Sequence, residues 1–177
     1  DKYEWDERLE HGDINWIVPG VFVAFSGPLD APKKLAGGGS TWHARQYARY
    51  CRAHGVSTVI RLNKTCYDRR AFTSAGVRHV DLFYPDGGLP PKAILARFMD
   101  VCERAEGAVA VHCKAGLGRT GSCIGAFCMK HFGITAREFI AWTRIARPGS
   151  VLGPQQQYLE RIEKDMHREG AIFRAGK

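Results

Sequence analysis

A single cysteine, Cys113, stands six positions ahead of an arginine, Arg119, in the stretch "VHCKAGLGRTGS" that runs from Val111 to Ser122. Between them, Gly116 and Gly118 let the chain curl so that successive backbone N–H groups point inward and form an anion-binding nest. The apolar run "AVAVH" (108–112) precedes the loop, and a helix is expected to begin near Arg119. Free N–H groups at a helix start, aided by the helix dipole, face the same anion. Arg119 adds a fork of donors that matches two phosphate oxygens. A free thiol has a pKa of roughly 8.5, and helix N-termini and nearby cations lower it to about 3.5–7.5. The positive potential that holds a phosphate therefore also makes the thiolate that attacks it. Lys114, Ala115, Gly116, Leu117, Gly118, Arg119 and Thr120 are the expected phosphate-binding residues, with Cys113 as nucleophile. Thr120 is expected to hydrogen-bond the sulfur and ease its departure, and His112 to brace the loop rather than to do acid–base work. The plain alternative is a buried thiol beside a tight turn, against which the Cys-x5-Arg-Thr order between strand and helix argues. A Walker-type loop needs Gly-Lys-Ser/Thr, and here the order is Gly-Arg-Thr with a cysteine at the front.

A phosphocysteine route needs a proton for the departing alkoxide, best given by a carboxylic acid on a loop that can approach and withdraw. The stretch "DLFYPDGGLPP" offers Asp81 and Asp86. Asp81 lies in a strand-like run and reads as structural; Asp86, between Pro85 and Gly87, is the expected general acid. Water must then hydrolyse the thiophosphate, with Asp86 as base and an amide to orient the water. "GPQQQYL" supplies Gln155 and Gln156 as candidates, while Gln157 reads as a solvated helix residue.

These residues need a scaffold. "VFVAF" (21–25), "VSTVIRL" (56–62), "VRHVDLF" (77–83) and "AVAVH" read as strands, the last apolar enough for the centre of a parallel sheet. Helical spacing predicts helices over 41–54, 68–75, 91–105, 119–132, 135–146 and 154–168. Strands alternating with helices imply an α/β fold with a mostly parallel central sheet and helices on both faces. Ligands then bind at the carboxyl ends of the strands, where the Cys113 loop falls. Residues 1–20 read as a polar lead-in closed by Pro19 and Gly20, residues 21–168 as one catalytic domain, and residues 169–177 as a tail.

The chain has 177 residues, within the roughly 100–200 of a single domain. Of six cysteines, none has CxxC spacing, and the histidines complete no zinc pattern, so no metal or cofactor is expected. Cys51, Cys102, Cys123 and Cys128 fall in apolar helical stretches as small hydrophobes. That usage favours a reducing intracellular compartment, nuclear or cytoplasmic. No apolar run reaches the roughly 20 residues of a membrane span. Net charge is +8, yet the first 13 residues hold six acids against two bases, leaving 24 bases and 12 acids in the rest. A basic body suits phosphates in general; nucleic acid as partner is disfavoured because no stacking-rich surface motif accompanies it.

His-Cys-x5-Arg-Thr resembles the cysteine-dependent protein tyrosine phosphatase superfamily. More narrowly, "GDINWIVPGVFVAFSGP" (12–28), "VIRLNKTCYD" (59–68), "DLFYPDG" (81–87), "HCKAGLGRTG" (112–121) and "RPGSVLGPQQ" (147–156) resemble the cell-division-cycle-fourteen phosphatases of mitotic exit. That family has two tandem phosphatase-like domains, and the chain is similar to the second, a dual-specificity phosphatase domain, plus the preceding linker. The first domain is expected to be absent here, in keeping with an Asp at position 1. The resemblance implies dual-specificity hydrolysis of phosphotyrosine and of phosphoserine or phosphothreonine before proline, with a basic residue downstream, in targets of cyclin-dependent kinases. It implies Cys113 as nucleophile, Arg119 as clamp, Asp86 as acid and Gln155 as the water-positioning amide. The acids of residues 1–13 would form part of the family's substrate groove. "TCYD" departs from the family form, and tensin-type phosphatases carry a cysteine near this point that pairs with the nucleophile, so Cys66 is a candidate redox partner. Tensin-type phosphoinositide hydrolysis is the alternative activity; those enzymes usually carry two loop lysines, and here only Lys114 is present, with Leu117 at the second place. A catalytically dead binding module is disfavoured by the presence of Cys113, Arg119 and Asp86.

Overall fold

The computed structural model describes residues 8–176. Its centre is a five-stranded sheet of β1 (Ile14–Val18), β2 (Phe22–Phe25), β3 (Val56–Arg61), β4 (Arg78–Asp81) and β5 (Ala108–His112), in the order β1-β2-β5-β3-β4. β1 runs antiparallel to β2, and the remaining pairings are parallel. β5 is buried along its whole length, as a central parallel strand covered on both faces must be. Its alternate residues prove the two faces: Val109 and Val111 join one core, Ala108 and Ala110 the other.

One face carries α1 (Ala44–Ala53) and the single turn α2 (Arg70–Thr73), which bury Tyr47, Cys51 and Phe72 against Val23, Phe25 and Val59. The other carries α3 (Lys92–Glu103), α4 (Gly118–Phe132), α5 (Ala136–Ala146) and α6 (Pro154–Ala175) around Phe22, Phe98, Ile124, Met129, Phe139 and Leu159. Local chemistry sets several boundaries. His43 and Gln46 form a capping box at the start of α1, and Thr135 and Glu138 form one at the start of α5. Pro154 occupies the first turn of α6, where its missing N–H costs nothing.

Two expectations need correction. Residues 14–18, expected within the polar lead-in, form β1. Pro19 and Gly20 belong to a hairpin turn rather than a boundary: Val21 N–H donates to Val18 O at 2.9 Å, and Gly20 has φ +73°. The last helix continues through the expected tail to Ala175. Gly170, inside that extension, is a contact point. A Cβ there would sit 1.8 Å from Lys130 O, so its absence lets α6 pass against the end of α4. Cys51, Cys102, Cys123 and Cys128 are buried core thiols. Burial pushes Cys51, Cys123 and Cys128 up to about 12 and Cys102 well above the ordinary value, so they stay protonated.

Candidate active site

Residues 113–117 link the C-terminal end of β5 to the start of α4. Gly116 has φ +71°, and a Cβ on it would lie 2.1 Å from Phe25 O, so no other residue fits. The first four carbonyls of the loop, 113 through 116, all have partners outside the curl. Cys113 O contacts His112 Nδ1 at 3.1 Å, and Lys114 O accepts Gly27 N–H at 2.9 Å. Ala115 O and Gly116 O accept from Arg147 at 3.0 and 2.9 Å. In a trans peptide the C=O and the following N–H point opposite ways. Tying these carbonyls outward therefore turns the following N–H groups, 114 through 117, toward the inside of the loop. One reaches the sulfur: Gly116 N–H donates to Cys113 Sγ at 3.2 Å.

Arg119, 3% exposed, lies in the first turn of α4. Its Nη1 donates to Tyr84 O at 2.9 Å and Leu62 O at 3.3 Å, which fixes the guanidinium plane. Tyr84 in turn donates its hydroxyl to Arg119 O at 3.1 Å. Nη2 pairs with Asp86 Oδ1 at 3.0 Å, and Nε is buried with no partner among the described residues. A buried donor without a partner is costly unless an anion supplies it. The hydroxyl of Thr120 is also buried and has no partner among the described residues. The expected Thr120 bond to the sulfur is therefore not made; Thr120 is drawn into the first turn of α4, and Gly116 N–H is the donor that the sulfur has.

Asp86 projects from the loop after β4, with its side chain 67% exposed. Asp81 is instead bound to Arg61, as its structural reading requires. Gln155 is 2% exposed, and its Oε1 accepts Leu152 N–H at 3.0 Å. Its Nε2 reaches Gly88 O, in the Asp86 loop, at 3.4 Å. A Cβ on Gly118 would stand 2.7 Å from Gln155 Oε1, so this amide lies against the cradle. Gln156 accepts from Arg144, and Gln157 is exposed. Of the three amides, only Gln155 joins both the Cys113 loop and the Asp86 loop. Lys114 and Ala115 are exposed at the rim, and Leu117 and Gly118 are half-buried. Cys66, half-buried with a free thiol, lies between β3 and α2.

Two supports were given no role by the sequence, although both lie in stretches that carry the family resemblance. The first is Tyr67, whose hydroxyl lies 2.8 Å from His112 Nε2 and 2.7 Å from His79 Nε2. Cys113 O can only accept, so His112 carries its proton on Nδ1 and its Nε2 accepts from Tyr67. The Tyr67 oxygen then accepts from His79 Nε2–H, which leaves His79 Nδ1 unprotonated, in keeping with its having no hydrogen-bond partner among the described residues. Burial holds His112 neutral, down at about 3, and His79 at about 4. The second is Arg147, 2% exposed, which connects the cradle to Asp13 and Asn15. Asp13 is thereby occupied and unavailable to a substrate groove, and burial raises its pKa against the pull of Arg147. Glu10 lies 3.9 Å from Arg8, and Asp1, Glu4, Asp6 and Glu7 lie outside the described residues. Among the described residues, no cluster of ligands suits a metal ion.

Residues 52–164 match the family model "Dual specificity phosphatase, catalytic domain". The chain is 52% identical over 176 residues to the human dual specificity protein phosphatase CDC14A, covering 99% of this chain and 29% of that protein. It is 43% identical to the tyrosine-protein phosphatase CDC14 homolog of Schizosaccharomyces pombe, covering 89% and 30%. The chain thus spans about a third of the length of these relatives. The crystal structure of PTPMT1 superposes with a TM-score of 0.72 at 20% identity, covering 90% of this chain and 99% of that one. Tk-PTP in its active form gives 0.69 at 22%, covering 86% and 96%. These two likenesses bear on the fold alone.

Proposed function

The chain belongs to the dual specificity phosphatase family, and from that premise we propose that it hydrolyses phosphoproteins through a phosphocysteine intermediate. The observation that carries this reading is the convergence on one loop of three features: the Cys113 sulfur on an inward N–H, the fixed Arg119 fork, and Asp86 at 3.0 Å from that fork. A phosphoryl group bound in the cradle takes Arg119 and the N–H groups 114–117. The Cys113 thiolate forms a bond to phosphorus as the bond to the substrate oxygen breaks, and Asp86 gives that oxygen its proton. Asp86, now a carboxylate, takes a proton from a water oriented by Gln155. That water attacks phosphorus, phosphate departs and the thiolate is restored. The positive charge throughout comes from Arg119 and the backbone.

Phosphoserine or phosphothreonine before proline, with a basic residue downstream, is the substrate class carried over from the likeness to CDC14 phosphatases, along with phosphotyrosine and a role in cell division. All six cysteines are free thiols, a usage that suits a reducing compartment, and we place the protein in the cytoplasm or nucleus. Cys66 stands as the candidate disulfide partner of Cys113 under oxidation.

The test is phosphate release from two peptides, one phosphoserine-proline with a downstream lysine and one phosphotyrosine, with Cys113→Ser as control. Turnover of the first, abolished in Cys113→Ser, supports both reaction and selectivity. Turnover of phosphotyrosine alone keeps the reaction and removes the selectivity. Failure on both peptides, with release from a soluble phosphoinositide, would transfer the same machinery to lipids, a reading that the single loop lysine, Lys114, opposes.

A further inference from the structure

The guanidinium of Arg147 spends all its N–H groups on two regions distant in sequence. Toward the cradle, Nε donates to Gly116 O at 2.9 Å and Nη2 to Ala115 O at 3.0 Å. Toward the N-terminus, Nη1 donates to Asp13 O and Oδ1, both at 2.9 Å, and to Asn15 Oδ1 at 2.6 Å, while Nη2 also reaches Asp13 Oδ2 at 3.0 Å. Asp13 sits just before β1 with φ +46°, an unusual region for any residue but glycine, though asparagine and aspartate are among those that tolerate it. Its own N–H donates to Arg8 O at 2.9 Å. The Asp13 carboxylate thus meets Arg147 with both oxygens, the planar two-point geometry that orients a guanidinium most firmly.

The peptide that Arg147 holds through Ala115 O is the one whose N–H, on Gly116, donates to Cys113 Sγ. The connection runs from the Asp13 carboxylate to Arg147, across a single rigid peptide plane, to the nucleophilic sulfur. The Gly116 carbonyl that Arg147 also holds turns the Leu117 N–H inward in the same way.

We propose that Asp13 is a positioning residue for the phosphate cradle, acting through Arg147 on the Ala115–Gly116 peptide and so on the thiolate of Cys113. The proposal rests on the reading of this loop as a phosphate cradle around a nucleophile. It makes the stretch ahead of β1 a working part of the site rather than a lead-in. Without the carboxylate, Arg147 keeps its charge and its bonds to Asp13 O and Asn15 Oδ1 but loses the two-point hold across Nη1 and Nη2, so the two loop carbonyls are held less firmly and the thiolate loses part of its donor.

The test uses Asp13→Ala, the milder Asp13→Asn, Arg147→Lys and the double variant Asp13→Ala/Arg147→Lys, with Cys113→Ser marking which alkylation belongs to Cys113. The pH dependence of Cys113 alkylation by iodoacetate, read by mass spectrometry, reports the thiol without any substrate. Expected is a rise in the apparent Cys113 pKa in every variant, and a loss of about tenfold in kcat/KM, below the ~10²–10³ that removal of a whole oxyanion donor costs. The double variant should lose no more than Arg147→Lys alone, because Asp13 acts through Arg147. An unchanged alkylation profile in Asp13→Ala and Asp13→Asn overturns the proposal. A fall in the Cys113 pKa overturns it too, since that is the outcome if Asp13 acts only by neutralising the Arg147 charge. Additive losses in the double variant do likewise. If Asp13→Ala fails to fold, Asp13→Asn alone decides. Absence of phosphoester turnover in the unaltered protein would count against the phosphatase reading, while the alkylation profiles still decide the role of Asp13.

Discussion

Arg119 Nη2 holds Asp86 Oδ1 at 3.0 Å, so the clamp and the acid of the proposed reaction occupy each other. An incoming phosphoryl group must take the guanidinium from this carboxylate, which is otherwise well exposed. Asp86→Asn is therefore expected to bind an inert oxyanion such as tungstate several-fold more tightly. The same variant should turn over phosphoserine peptides about 10²–10⁴-fold more slowly, since the departing alkoxide loses its proton donor. An aryl phosphate with a stable leaving anion should lose far less. Equal losses on both substrates would remove Asp86 from the role of acid.

Gln155 touches the acid's loop and the cradle together, which suits a group that orients water in the second step. In Gln155→Leu the first turnover should proceed normally and the phosphocysteine should accumulate, seen as a burst in rapid-quench measurements. Steady-state kcat is expected to fall about 10²-fold, as when one oriented polar group is removed from a site. A uniform loss with no burst would make the residue structural.

Tyr67 joins two buried neutral histidines with one hydroxyl. Tyr67→Phe leaves a donor on His79 and an acceptor on His112 unmet, at about 1–3 kcal/mol for each. Thermal unfolding should reveal that loss. Because His112 Nδ1 faces Cys113 O, freeing its other nitrogen should also raise the Cys113 pKa in the alkylation assay. A lower Tm with an unchanged thiol profile would confine Tyr67 to the core.

Burial keeps His112 at about 3 and His79 at about 4 in the fold, whereas both return to about 6.5 on unfolding. Between those values the unfolded chain binds more protons than the folded one, so stability must fall as pH drops from about 6.5 toward 4. The slope is about 1.4 kcal/mol per pH unit for each histidine, and above about 6.5 this contribution is flat. Urea unfolding at pH 7.5, 6 and 5 measures it. His79→Gln should flatten part of the dependence; a profile level from pH 7.5 to 5 would mean the histidines are not held neutral.

The catalytic loop was legible because its chemistry is local. Cys113, the glycines and Arg119 follow one another within seven residues, and the strand and helix that flank them have plain apolar and helical patterns. The position of Asp86 near that loop was legible for a related reason, since an acid between Pro85 and Gly87 has few roles in a core, and the structure sets it against Arg119. Gln155 could be separated from Gln156 and Gln157 only by resemblance, because three adjacent amides at a helix start look alike until the helix is packed. β1 was hidden by Pro19 and Gly20, which mark a hairpin and a boundary equally well, and the last turns of α6 rest on a close approach of Gly170 to α4 that only packing creates.

From its order of residues alone this protein is an α/β chain with a thiol and a guanidinium set around an anion, since short-range spacing dictates which backbone N–H groups can curl inward. Tertiary structure alone decided how that curl is held. Arg147 reaches the loop from 31 residues away and Asp13 from beyond a hundred, and Tyr67 meets His112 across 45. Hydrogen bonds of this kind depend on which side chains a sheet and its helices bring within about 3 Å, and no local pattern in a sequence records that distance.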